Sequence, residues 1–291
     1  TSTNNSTYSN VASGGTTTSY TTPALTATTY YRVVVKSGVC ASVNSAVSTV
    51  TVSPTSVGGT VNGSATVCTG TNTTTLTLSG RTGSVTKWQS ASNSTFTTGL
   101  TDIASTDTFY TAQNLTATTY YRAVVQSGAC AAVNSSTGTV AVTPASVGGT
   151  IAGSTAVCSD GNTTTLTLSG HTGTVTRWEW SEVGDFSSSV NTVANTTTSL
   201  TATNLTVTRY YRAVVTNGVC PPAYSTTATI TINPATVGGT ISGSATVCTG
   251  TNTTDLTVSG YTGVISKWQS ARSEEHTSEL QSHLNLVCRL L

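Results

Sequence analysis

A shift of ninety positions (130 − 40) brings this chain back into register with itself. Cys40, Cys130 and Cys220 coincide, as do Cys68, Cys158 and Cys248, and Trp88, Trp178 and Trp268. The pair Tyr30-Tyr31 returns as Tyr120-Tyr121 and Tyr210-Tyr211, followed each time by an arginine (Arg32, Arg122, Arg212). An internal repeat names an architecture before any single motif does. Ninety residues is too long for a solenoid turn and suits one small β domain. The phase predicts five segments: residues 1–57, the later part of a truncated copy; 58–147 and 148–237, two complete copies; 238–271, the opening of another; and 272–291, a tail of different character.

Only 7% of the 291 residues are charged and the net charge is +1, against about 25% charged in an average globular protein. So small a charge implies neither a nucleic-acid partner nor an anionic membrane surface. Thr and Ser take the place of charges, and the stiff branched Cβ of Thr fits a pleated, half-buried surface. No apolar run approaches the length of a membrane span, so no membrane insertion is expected of this piece.

The segment Thr75-Leu76-Thr77-Leu78-Ser79 alternates with period two, the signature of a half-buried strand. Gly80 to Gly83 reads as a turn, and Val85 to Ser90 as the next strand, carrying Trp88. Thr108 to Ala112 is strand-like with Tyr110 inward. Tyr121, Ala123 and Val125 share one face of another strand, and Val140 and Val142 mark the last before Pro144. No helical period intervenes. The expectation is all-β: tandem antiparallel sandwiches of immunoglobulin-like or fibronectin-like type, with Trp88, Trp178 and Trp268 as core tryptophans. The run from Leu115 to Tyr121, repeated as Leu25 to Tyr31 and Leu205 to Tyr211, resembles the tyrosine corner of such sandwiches, in which the phenol bonds back to the backbone.

Two cysteines recur per copy. Joining Cys68 to Cys130 closes a loop of 62 residues (130 − 68), which chain entropy values at about 4 kcal/mol. The expected bridges are therefore Cys68–Cys130 and Cys158–Cys220. The rival set, Cys40–Cys68, Cys130–Cys158 and Cys220–Cys248, would staple neighbouring copies instead and stays open at this point. Paired structural cysteines imply an oxidising compartment, hence a secreted or cell-surface protein.

The whole unit, VGGTVNGSATVCTGTNTTTLTLSG followed by KWQS and LTATTYYRAVVQSGAC, resembles the bacterial Ig-like repeats of very large secreted proteins in the Bacteroidetes. The resemblance covers residues 1–271. It implies a long tandem array on a surface or secreted protein, exported by the type IX route.

Candidate chemistry is sparse. His171 is replaced by Arg81 and Tyr261 in the sister copies, so it reads as a solvated turn residue rather than a catalytic base. Glu179, Glu182 and Asp185 correspond to Gln89, Ser92 and Thr95, a poor calcium set. No metal, cofactor or catalytic residue is expected. Asn72, Asn114, Asn162 and Asn204 stand in Asn-x-Ser/Thr triplets, which so Thr-rich a chain produces by composition. One pattern survives: Lys87 and Arg177 precede an inward tryptophan, and Arg122 and Arg212 follow an inward tyrosine. Each complete copy would thus show two cations on one outer face. Two roles compete for them, weak multivalent contact with a surface polysaccharide and deterrence of edge pairing.

From Arg272 the register is lost, and five charged residues fall in the last 20 positions against 16 in the preceding 271. Residues Arg272 to His283 resemble the in-frame translation of a common short-read sequencing adapter, and Arg272–Leu291 are set aside on that resemblance; the alternative is a genuine short helical tail, since Leu280, Leu284 and Val287 have helical spacing. Taken together, the residues point to a non-catalytic spacer whose partners are the neighbouring repeats of its own chain. The alternative is an adhesin array binding glycans. A disordered stalk ranks below both, because fixed Trp, Tyr and Cys positions serve no purpose in an unpacked chain.

Overall fold

The computed structural model describes residues 1–271; the segment set aside as an adapter translation lies outside the described residues. The chain divides into two compact units, Thr1–Thr143 and Pro144–Leu291. Among the described residues every regular element is a strand.

In the first unit, an incomplete copy supplies β1 (Thr29–Tyr31), β2 (Val34–Val35), β3 (Val43–Asn44) and β4 (Ser48–Val50). A complete copy follows: β5 (Thr60–Asn62), β6 (Ala65–Cys68), β7 (Thr73–Ser79), β8 (Ser84–Ala91), β9 (Thr101–Ile103), β10 (Phe109–Gln113), β11 (Thr119–Gln126), β12 (Val133–Asn134) and β13 (Gly138–Thr143). Three strands in the order β10-β7-β5 form one layer. The other has the order β6-β13-β11-β8-β9, with β12 alongside β11. All pairings are antiparallel save one: β6 runs parallel to β13, from Ala65 opposite Val140 to Cys68 opposite Thr143.

The period-two pattern of Thr and Leu does what such a pattern dictates. Leu76 and Leu78 turn inward from β7 to meet Trp88, Tyr121, Ala123, Val125 and Val140 from the facing layer. Leu76, Trp88, Ala123, Val125 and Val140 have no exposed surface, and each large one stabilises the fold by about 1.5–3 kcal/mol. Strict alternation from Val85 would turn Trp88 outward. A bulge resolves this: the register against β11 shifts between Val124 and Val125, and the extra residue, Thr86, caps Val124 O with its hydroxyl at 3.1 Å. Gly58 is fixed by close approach, because a Cβ there would lie 2.0 Å from Asn134 O.

The second unit repeats this plan. Its complete copy comprises β14 (Thr150–Ala152), β15 (Thr155–Cys158), β16 (Thr163–Ser169), β17 (Thr174–Ser181), β18 (Asn191–Val193), β19 (Ser199–Thr203), β20 (Arg209–Thr216), β21 (Ala223–Tyr224) and β22 (Ala228–Asn233). The layers are β14-β16-β19 and β15-β22-β20-β17-β18, again with one parallel pair, β15 with β22. An incomplete copy adds β23 (Thr240–Ser242) and β24 (Thr257–Ser259). Cys130 lies in the turn after β11, and β13 begins only at Gly138.

Candidate functional site

The larger layer carries a cluster of charged and amide side chains on its outer face in each complete copy. β8 and β11 are neighbours, which sets Gln89 opposite Arg122. Arg122 Nε donates to Gln89 Oε1 at 2.7 Å, and Gln89 Nε2 donates to Asp102 Oδ1 at 2.7 Å. Lys87 Nζ reaches the other oxygen of Asp102, also at 2.7 Å. Hydrogen bonds from Lys87 and then Gln89 hold the Asp102 carboxyl below the usual carboxylate range. The Arg122 guanidinium lies 4.1 Å above the ring of Phe96, itself buried with φ +57°, a conformation uncommon for so bulky a residue.

The sister copy builds the same closed cluster from different residues. Thr192 stands where Asp102 does, and the carboxylate has moved to Glu179, the counterpart of Gln89. Glu179 is only 3% exposed and takes Arg177 at 2.6 Å on one oxygen and Arg212 at 2.8 Å on the other. Arg212 is flanked by Phe186 at 4.1 Å and Tyr224 at 3.9 Å, and Arg209 lies 3.7 Å over Trp180. In the incomplete first copy Arg32 lies 3.9 Å over Tyr8. All four cations named as candidate glycan contacts, Lys87, Arg122, Arg177 and Arg212, are therefore engaged by a carboxylate or an amide of their own copy. Sequence reading missed Phe96 and Phe186, although their ninety-residue spacing was the available signal. Glu179 is taken by two arginines, and Asp185 accepts from Ser187 N at 2.9 Å. His171 is half-buried rather than solvated, with Nδ1 shielded from water.

Trp88 and Trp178 are fully buried, and each Nε1 donates to a backbone carbonyl, of Asp107 and Thr197 respectively, at 3.0 Å. Trp268, in the incomplete copy, is 52% exposed. Tyr121 and Tyr211 are buried, and Tyr31 is half-buried against Tyr20. Burial chiefly, and then Tyr110, push the Tyr121 phenol up to about 12; burial also raises Tyr211.

Among the described residues neither phenol bonds the backbone in the manner of a tyrosine corner. The job falls to an asparagine. Asn72 Oδ1 accepts from Leu115 N at 3.0 Å, and its Nδ2 donates to Leu115 O and Cys68 O, both at 2.8 Å. Asn162 does the same with Leu205 N, Leu205 O and Cys158 O. The composition argument that dismissed these two residues overlooked their fixed phase.

The cysteine pairing expected within a copy is corrected. Cys130 is a free thiol, as are Cys40 and Cys248, while Cys68, Cys158 and Cys220 are disulfide-bonded. Free Cys130 excludes Cys68–Cys130, and the three free thiols exclude every pair of the rival set. The reason is topological. Cys68 sits level with Thr143, three residues beyond the start of β11, whereas Cys130 follows the far end of that strand. Roughly ten residue rises, about 30 Å, part them, against about 7 Å for the widest bridgeable Cα pair. Cys158, level with Asn233, and Cys220, beyond the end of β20, stand at opposite poles in the same way. Loop-closure entropy had weighed the benefit of these bonds without asking whether the ends meet.

No curated protein matches the chain. Solved structures similar to it include fibronectin(III)-like modules of CbhA from Clostridium thermocellum (10% identity, 60% of this chain and 94% of that one, TM-score 0.27). Titin domains A168–A170 are similar at 16% identity, 71% and 75% coverage and TM-score 0.37. A marsupial T cell receptor is similar at 10% identity, 64% and 77% coverage and TM-score 0.42. One family model matches four times in succession, at residues 1–54, 57–144, 147–234 and 237–284. The last match crosses 13 residues (284 − 271) of the segment set aside as an adapter translation. With four tandem copies spanning nearly all of its length, the chain belongs to the family described as Domain of unknown function (DUF8696).

Proposed function

We propose that this chain is a non-catalytic spacer: a run of β-sandwich repeats that sets the distance between other parts of a secreted or cell-surface protein. The observation that carries the reading is the closure of each charged cluster on itself. A glycan-binding face needs cations free to meet an anionic partner, and here Asp102 and Glu179 hold Lys87, Arg177 and Arg212 while the Gln89 amide holds Arg122. The family matches are separated by two residues each, 55–56, 145–146 and 235–236, too few for a freely wandering linker. Bonded Cys68, Cys158 and Cys220 suit an oxidising environment outside the cell. The test is a binding assay of the whole chain against a panel of anionic and neutral polysaccharides at low ionic strength. A spacer binds none. Retention abolished by the pair Lys87→Glu and Arg122→Glu would establish the adhesin reading instead.

A further inference from the structure

The two complete copies share their framework strands. β7 and β16 have the same sequence, TTTLTLS, and β11 and β20 share Tyr-Tyr-Arg-Ala-Val-Val. A strand of one copy therefore fits the backbone frame of the other, and strand exchange between like modules is a characteristic misfolding hazard of repeat proteins. Where the copies differ, the differences come in sets that meet in space.

One set surrounds a buried tyrosine. In the first complete copy Tyr110 of β10 packs on Tyr121 and Trp88, at ring separations of 5.4 and 6.1 Å, while β8 opposes Tyr121 with the small Ser90. In the second, Leu200 takes the place of Tyr110 and the bulk has crossed to β17. There Trp180 opposes Tyr211 and packs against the core, with Arg209, the counterpart of Thr119, 3.7 Å over its ring. β10 and β19 belong to the smaller layer, β8 and β17 to the larger, so the aromatic has changed layers. The other set lies on the outer face. Gln89 stands opposite Asp102, and Glu179 opposite Thr192, so the carboxylate comes from β9 in one copy and from β17 in the other.

We propose that these two sets form a pairing code, by which each copy accepts its own strands and rejects those of another copy, in the same chain or in a second one. Mixed partners fail at both places. β10 facing β17 crowds Tyr110 and Trp180 against one tyrosine, and β19 facing β8 leaves Leu200 and Ser90 with a void; a close-packed core resists either. β17 beside β9 sets Glu179 against Asp102, like charges directly opposite. β8 beside β18 takes from Lys87 the carboxylate that it holds at 2.7 Å. Only the two native combinations fill the core and balance the face, so specificity comes from penalising the wrong partner. The code stands independently of the spacer reading.

The experiment uses the whole chain, refolded from urea and then unfolded again, so that native and exchanged molecules separate by their unfolding rates. One variant gives the second complete copy the set of the first: Arg177→Lys, Glu179→Gln, Trp180→Ser, Thr192→Asp, Leu200→Tyr and Arg209→Thr. The copies are then alike at both places, and the exchanged fraction should rise several-fold over the natural chain. A second variant adds the reverse changes to the first copy: Lys87→Arg, Gln89→Glu, Ser90→Trp, Asp102→Thr, Tyr110→Leu and Thr119→Arg. Each copy then carries the other's set, the two differ again, and the exchanged fraction should return to the natural level. The second chain holds every change of the first, so loss of stability alone cannot produce this reversal. An unchanged fraction in the first variant, or a second variant that misfolds as much as the first, would overturn the proposal.

Discussion

Asn72 grips Leu115 by both backbone groups, accepting from its amide at 3.0 Å and donating to its carbonyl at 2.8 Å across 43 residues of sequence. Asn72 stands directly before β7 of one layer and holds the end of β6 and the approach to β11, both of the other, so one side chain ties both layers at a single pole. Replacing it strands partly buried polar groups that no neighbour can satisfy. Asn72→Ala is expected to cost about 3 kcal/mol, and Asn72→Asp, which keeps the acceptor and loses the donor, should fall between. Urea unfolding measures both, and Asn162→Ala should match Asn72→Ala in the other copy.

Glu179 is buried between two arginines, and truncating a buried acid leaves its partners uncompensated. Glu179→Ala should destabilise its copy by about 3 kcal/mol. Glu179→Gln should cost less than half of that, because Gln89 already serves Arg122 in the sister copy through a 2.7 Å hydrogen bond. Equal losses for the two variants in thermal denaturation would show that the charge, not the hydrogen bond, holds the cluster.

Tyr121 titrates at about 12 in the fold against an ordinary value near 10. A raised acid is one whose ionised form the fold excludes, so its contribution is complete below pH 10 and fades as pH climbs towards 12. About 2–3 kcal/mol is lost over that window. Spectrophotometric titration should show Tyr121 ionising after the exposed tyrosines, and Tyr121→Phe should blunt the alkaline decline in stability.

Two glycines separate space from conformation. Gly58→Ala drives a Cβ into Asn134 O and Ser135 N, and should cost more than 2 kcal/mol or displace the strand. Gly80, at φ +66° with open space around it, should tolerate alanine at about 1 kcal/mol. Denaturation midpoints of the two variants in parallel provide the comparison.

Much of the architecture could be read from the residues because period-two alternation and burial are local facts. Leu76, Leu78 and Trp88 declared the two layers, and the ninety-residue recurrence declared the copies. The rest depended on relations that sequence spacing does not carry. The bulge at Thr86 reset the inward phase between Val85 and Trp88. The two cysteines of a copy stand at opposite poles, a fact set by strand order rather than by loop length. Arg122 and Arg212 were placed on the outer face by phase alone, but Phe96 and Phe186 reach them only through a loop whose left-handed turn has no simple signature. Asn72 was concealed by its resemblance to a common triplet, and only its recurrence as Asn162 set it apart.

The parallel pairing of β6 with β13 has a mechanical consequence. β6 is entered from the pole where a copy begins, and β13 leaves by the pole where it ends. Tension drawn through the chain therefore drags the two strands past each other in shear. The four residue pairs from Ala65 and Val140 to Cys68 and Thr143 are loaded all at once, not peeled apart in turn. A copy under tension should hold its length until that whole set gives way together.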